Sequence, residues 1–277
     1  MLSIVVITSI IYTIAIYVDK HLTNKGISRK DYFYYMCFSM VPFALIMTVI
    51  DWLREGIRFE LSIIPFLLLL VAMFLRYKKQ HTIVGCYKYL NPYEYITYNS
   101  LGLILAFVID SAIGIKSFSW ITAFAIILCL TGVFVLADVK LRIKALQKDL
   151  IIRMVCKVGI GYVAYYILQY WSNAVYILIL NLLLTLIFSK GYNLKYHIEH
   201  KNIIKWVFIQ QTFGFFTVYL GNYLATSSVV LNQAVKPLVI VMSILVAFTL
   251  KKIGRKPKIK DLLAVLLVAA GTYLLSM

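Results

Sequence analysis

The stretch Tyr87-Lys88-Tyr89-Leu90-Asn91-Pro92-Tyr93-Glu94 sits inside an apolar segment long enough to cross a bilayer, and Asn232-Gln233-Ala234-Val235-Lys236-Pro237 sits inside another. Each places a proline, an amide and a lysine where a lipid-facing helix carries only hydrocarbon. Charged side chains at membrane depth are costly and face a protein interior or a watery cavity. A proline there frees a carbonyl that a neighbour or water must satisfy. The two stretches therefore read as halves of one central site, with Pro92 and Pro237 as hinges and the remaining chain as scaffold.

Outward from these stretches the chain is apolar throughout. Of its 277 residues 62% are hydrophobic, and the mean hydropathy is +0.87, which excludes a soluble domain of this size. The N-terminal Met1-Leu2-Ser3-Ile4 lacks a basic region and a small-residue cleavage site, so it reads as a first spanning helix rather than a removed signal peptide. With about 20 apolar residues needed per crossing, ten spans are expected near residues 2–22, 32–53, 61–77, 82–109, 118–137, 150–170, 173–188, 203–225, 227–250 and 262–276. The loops between them are short, so consecutive helices are antiparallel neighbours.

The charge is unbalanced, with 28 Lys plus Arg against 11 Asp plus Glu. In a soluble protein this would point to nucleic acid; here the basic residues fall in alternate loops. Lys25, Arg29 and Lys30 follow the first span, Lys78 and Lys79 the third, and Lys140, Arg142, Lys144 and Lys148 the fifth. Lys190, Lys195 and Lys201 follow the seventh, and the run from Lys251 to Lys260 the ninth, whereas Arg54, Arg58 and Lys116 stand on the other side. The positive-inside rule places the basic loops in the cytoplasm and both termini outside the cell membrane.

The halves also match. Pro92 precedes Gly132 by 40 residues and Pro237 precedes Gly271 by 34, each glycine lying in the last span of its half. The sequence thus predicts an all-α integral membrane protein of ten transmembrane helices, arranged as two inverted five-helix repeats. Residues 1–137 form the first repeat, 138–149 a basic cytoplasmic linker and 150–277 the second. Five is odd, so the second copy inserts upside down, in keeping with the alternating loop charge. Inverted repeats recur in secondary transporters, with substrate held where the repeats meet.

The run Ala225-Thr226-Ser227-Ser228, followed by Pro237, Lys251-Lys252 and Gly271, resembles the drug/metabolite transporter superfamily, specifically its EamA-like ten-helix members. The resemblance covers nearly the whole chain in architecture and implies a secondary transporter working by alternating access. Many such proteins carry a glutamate near the end of the fourth and ninth spans; here those regions offer Asp110 and Lys251-Lys252.

No phosphate loop, nucleophile elbow or pair of deep carboxylates is present, so no enzymatic activity and no cofactor are expected. The four cysteines, Cys37, Cys86, Cys129 and Cys156, lie far apart in apolar segments and read as small buried hydrophobes. His197, Glu199 and His200 have chelating spacing but read as a solvated loop, so no metal is expected. The candidate substrate-binding residues are Tyr87, Lys88, Asn91, Glu94, Tyr98, Lys157, Asn232, Gln233 and Lys236. Tyr87, Asn91, Glu94 and Tyr98 share one helical face by their spacing. Tyrosines around a carboxylate suit an organic cation; the lysines suit a carboxylate or phosphate; a Glu94–Lys236 pair would suit a zwitterion or a polar neutral solute. The expected partners are a small-molecule substrate and membrane lipid, without nucleic acid; a coupling proton or counter-substrate stays open. A flippase for a lipid-linked sugar or polyprenyl phosphate is the rival within transport, and a membrane-embedded structural or enzyme subunit the rival outside it.

Overall fold

Backbone polar groups in an apolar surrounding must be paired, and a helix pairs them within one segment. The long apolar runs accordingly fold as helices in the computed structural model, which describes residues 1–24, 29–90, 92–115, 117–138, 148–189, 195, 201–249 and 258–277. They are α1 (Leu2–Asn24), α2 (Arg29–Arg54), α3 (Ile63–Tyr89), α4 (Pro92–Asn99), α5 (Gly102–Ala112), α6 (Trp120–Ala137), α7 (Lys148–Ile167), α8 (Asn173–Ser189), α9 (Lys201–Ser227), α10 (Val229–Thr249) and α11 (Ile259–Ser276). Among the described residues the only β pairing is an isolated antiparallel bridge between Phe59 and Trp171.

Seven segments are long and apolar enough to cross a membrane: α1, α2, α4 and α5 taken together, α6, α7, α10 and α11. The helix α8, at 17 residues, is a shorter apolar one. The helices α3 and α9 run for 27 residues each but carry polar side chains along their length. Large apolar side chains such as Leu45, Ile46, Leu70, Phe74, Ile127 and Leu186 point outward, while Arg76, Arg153, Gln210, Gln211, Gln233 and Lys236 are buried. Soluble proteins do the reverse with their charges. An apolar exterior over a core that also buries charged and amide side chains is compatible with a multi-pass membrane protein.

The helices pack α6 along α11, α3 along α7, α2 along α8, and α1 along α9 and α10. The α6–α11 contact is the closest in backbone terms. A Cβ on Gly132 would stand 2.6 Å from the Ala264 carbonyl, and one on Gly271 would stand 2.7 Å from the Ala125 carbonyl. Glycine is required on both sides of that seam. Each of the four cysteines is buried and unbridged.

Two expectations are corrected. Lys78 and Lys79 do not form a loop: α3 continues through them to Tyr89, and Leu90 then turns extended, with φ −118° and ψ 139°. Pro92 is not in the middle of a helix but opens α4. A proline lacks the N–H that the first turn leaves unpaired anyway, and it drives its predecessor out of helical conformation, so it starts helices more readily than it bends them. Pro237 does lie inside a helix, α10, as expected. Asp110, near the end of the fourth span, is buried in α5, where it accepts hydrogen bonds from Tyr162 Oη at 2.6 Å, Ser228 Oγ at 2.9 Å and the Val230 amide at 3.4 Å. A carboxylate thus caps the start of α10, where the helix leaves its amides unpaired.

At one end of the bundle two short connections are stitched together. Ser172 N donates to the Arg58 carbonyl at 2.8 Å, the Arg58 amide donates to Ser172 Oγ at 2.9 Å, and Trp171 Nε1 donates to the Glu60 carbonyl at 2.9 Å. This end carries Arg54 and Arg58.

Candidate functional site

A cavity of about 180 Å³ lies among α1, α2, α3, α7, α9 and α10. Its described lining includes Arg76, Lys79, Arg153, Lys157 and Lys236 against one carboxylate, Asp19, a formal excess of four positive charges. The same wall carries the amides Gln80, Gln210, Gln211, Asn222, Asn232 and Gln233.

Each charged group is placed by a definite local cause. Between α4 and α5 the helix is interrupted: Leu103 N donates to the Ser100 carbonyl at 2.9 Å, one residue short of the usual helical acceptor. The carbonyl of Asn99 is thereby released, and Lys236 Nζ donates to it at 3.1 Å. Room for that ammonium comes from Gly102, whose absent Cβ would stand 3.0 Å from Nζ. Lys157 Nζ donates to Tyr12 Oη at 2.7 Å and lies 4.7 Å from the centre of that ring. Arg153 donates to Tyr95 Oη and to the Lys79 carbonyl, which ties α7 to both α3 and α4. Among the described residues Arg76 Nη2 meets only the Met40 thioether, at 2.9 Å, and Gln80 Nε2 meets the Met36 thioether at the same distance. Sulfur is a weak acceptor. Asp19 accepts from Tyr32 Oη.

Four of the five cations thus have neutral groups as hydrogen-bond acceptors. Like charges confined in an apolar bundle repel strongly, because the surroundings screen them poorly. Pro237 adds a further acceptor: having no N–H, it leaves the Gln233 carbonyl without its helical donor. The Gln211 and Gln233 side-chain oxygens are buried and have no hydrogen-bond partner among the described residues.

Of the residues predicted from sequence, Lys157, Asn232, Gln233 and Lys236 come together at this cavity. Glu94 and Tyr98 do not line it. Tyr98 is buried in the apolar core, edge-on to Phe134, and Glu94 is half-buried on the first turn of α4. The alternative of a Glu94–Lys236 pair does not form among the described residues, where Lys236 donates to the Asn99 carbonyl. Asn91 and the side chains of Tyr87 and Lys88 lie outside the described residues, as do His197, Glu199 and His200. The described residues hold no cluster of metal-ligating side chains.

Sequence reasoning missed Arg76, Lys79, Arg153 and Asp19. The signal was present as helical spacing: Arg76, Lys79 and Gln80 fall on one face, as do Arg153, Lys157 and Gly161. A second, open depression of about 880 Å³ lies beyond the cavity, lined by Asp51, Arg54, Arg58, Tyr219 and Tyr223 among others. Adjacent positions of α9 face each space: Val218 and Asn222 the cavity, Tyr219 and Tyr223 the depression.

No protein-family model matches the chain, and no curated protein matches it either. A solved structure, described only as the crystal structure of a protein, superposes on 99% of this chain and 96% of its own length, with a TM-score of 0.63 at 13% sequence identity. This likeness is one of fold.

Proposed function

We propose that the chain is a secondary membrane transporter that moves a small organic solute by alternating access through the central cavity. The observation that carries the reading is the cavity itself: a polar, charged space in the middle of a helical bundle with an apolar exterior, lined by helices from both halves of the chain. Neighbouring positions of α9 line this cavity and the second depression. Nothing in a structural bundle requires such a space.

The packing supports two inverted repeats. Exchange α1 with α7, α2 with α8, α3 with α9, α4 and α5 with α10, and α6 with α11. The α3–α7 contact then becomes the α9–α1 contact, while α2–α8 and α6–α11 each map onto themselves. This is the pattern a two-fold axis in the membrane plane produces, and it fits the resemblance to EamA-like members of the drug/metabolite transporter superfamily. In this reading Lys157, Asn232, Gln233 and Lys236 contact the solute and Pro237 softens α10.

The test is solute counterflow. Liposomes containing the purified protein and loaded with unlabelled solutes should accumulate at least one labelled small solute transiently above equilibrium. Rates equal to empty liposomes for anionic, cationic, zwitterionic and neutral solutes alike would sink the proposal.

Orientation has its own measurement. The extension of α3 leaves the side assignment unchanged, because its C-terminal end stays on the side of the α2 N-terminus. A reporter active only in the cytoplasm, fused after Met277, should be silent; strong activity there reverses the topology.

A further inference from the structure

We propose that the cavity binds a small water-soluble dianion, a phosphate monoester or a dicarboxylate, with its charged end among Arg76, Lys79 and Arg153 and a hydroxyl-bearing end at Gln211 and Gln233. This rests on the transport reading only in calling the anion cargo; binding is measured apart from movement.

The positive charge is the first ground. Among the described residues five basic side chains and one carboxylate line a single space. Counter-charge inside it would stabilise such a cluster, since uncompensated buried charge is strongly unfavourable. Arg76 supplies the second ground. It is buried, with 7% of its surface exposed, and its sole hydrogen-bond acceptor among the described residues is a thioether. A guanidinium presents a planar fork of donors suited to the paired oxygens of a carboxylate or phosphate. Here that fork faces the cavity without such a group.

The amides supply the third ground and separate an organic dianion from a simple halide. Gln211 and Gln233 are 0% and 2% exposed, and the side-chain oxygen of each lacks a donor among the described residues. Buried acceptors left unpaired are costly. Hydroxyl groups on the bound solute are the donors that would satisfy them. An organic cation is disfavoured twice. The lining charge repels it, and the Tyr12 ring that would attract it already has Lys157 at 4.7 Å.

The experiment uses the full-length protein in an uncharged detergent, at matched ionic strength, with glycerol phosphate, malate, glycerol, choline and short-chain phosphatidic acid as probes. Glycerol phosphate or malate at millimolar concentration should raise the unfolding temperature, whereas glycerol and choline should not. Arg76→Gln should weaken the dianion's affinity about ten- to a hundredfold, the effect of losing a charged hydrogen-bond partner. Arg76→Lys, which keeps the charge but not the fork, should weaken it less. Should Arg76→Gln fail to fold, Lys79→Gln carries the same test, since the Lys79 carbonyl that holds Arg153 is retained. Absence of any dianion effect, affinity unchanged in all three variants, preferential binding of choline, or binding confined to phosphatidic acid would each overturn the assignment. Dianion binding without counterflow retires the transport reading alone. Counterflow of a cation without dianion binding retires this one alone.

Discussion

Asp110→Ala should destabilise the folded protein by about 3–6 kcal/mol, two charged-acceptor hydrogen bonds at about 1.5–3 kcal/mol each. The carboxylate in α5 receives Tyr162 Oη at 2.6 Å from α7 and Ser228 Oγ at 2.9 Å from the start of α10. It is 1% exposed, so water does not replace it when it is removed. The longer contact to the Val230 amide, at 3.4 Å, adds the interaction of a negative charge with a helix N-terminus. Because the residue ties the first half of the chain to two helices of the second, the loss should appear as global unfolding rather than local fraying. Tyr162→Phe should cost less, about 1–2 kcal/mol, and the double variant should cost less than the sum of the two, since they share one bond. Denaturant unfolding in detergent measures all three. Stability of Asp110→Ala within about 0.5 kcal/mol of the parent would show that the carboxylate has no such role.

Much of the helical frame can be read from hydropathy, because each rod needs an uninterrupted apolar run and such runs are visible without knowing what they pack against. The boundary between the third and fourth helices was not visible, for an instructive reason. Lys78 and Lys79 look like a loop when charge is taken to mean water. In this bundle α3 extends through both, and Lys79 faces an internal cavity while Lys78 lies 5.5 Å over the Phe74 ring. The same assumption concealed Arg76 and Arg153. Lys236, Asn232 and Gln233 were legible because they sit deep in an otherwise apolar run, far from either end.

The pairing of charges was not legible at all. Glu94 and Lys236 are complementary in sign and sit in the corresponding spans of the two halves. What takes Lys236 is a backbone carbonyl, exposed by a break in the helix after Asn99. No periodicity announces a break at Ser100-Leu101, since both residues are compatible with a helix interior. Asp110 shows the converse case. Sequence places it near a loop between two helices, yet its partners lie 52 and 118 positions further along the chain.

Lys236→Met should leave the protein as stable as the parent or more so, by about 1–3 kcal/mol, while lowering solute uptake at least tenfold. The two halves of that expectation have one origin. Lys236 is 3% exposed, and among the described residues its ammonium has a single hydrogen bond, to a neutral carbonyl. Four other cations line the same cavity. Replacing a buried charge that lacks an opposite partner by an apolar side chain of similar length removes repulsion and desolvation cost, which is often neutral or stabilising by about 1–4 kcal/mol. Against that stands the lost bond to Asn99, about 1 kcal/mol. A charge held at a cost to stability is expected where it contacts a ligand, and its removal is felt in function. Gly102→Ala acts on the same atom from the other side. Its Cβ would stand 3.0 Å from Nζ, so the ammonium must shift, and uptake should fall while the positive charge is kept. Glu94→Gln, away from the cavity lining, should combine with Lys236→Met additively. Thermal unfolding and liposome uptake on the four variants check the whole set. A marked loss of stability in Lys236→Met with uptake preserved per folded molecule would show that the lysine is a structural strut and that the solute binds elsewhere.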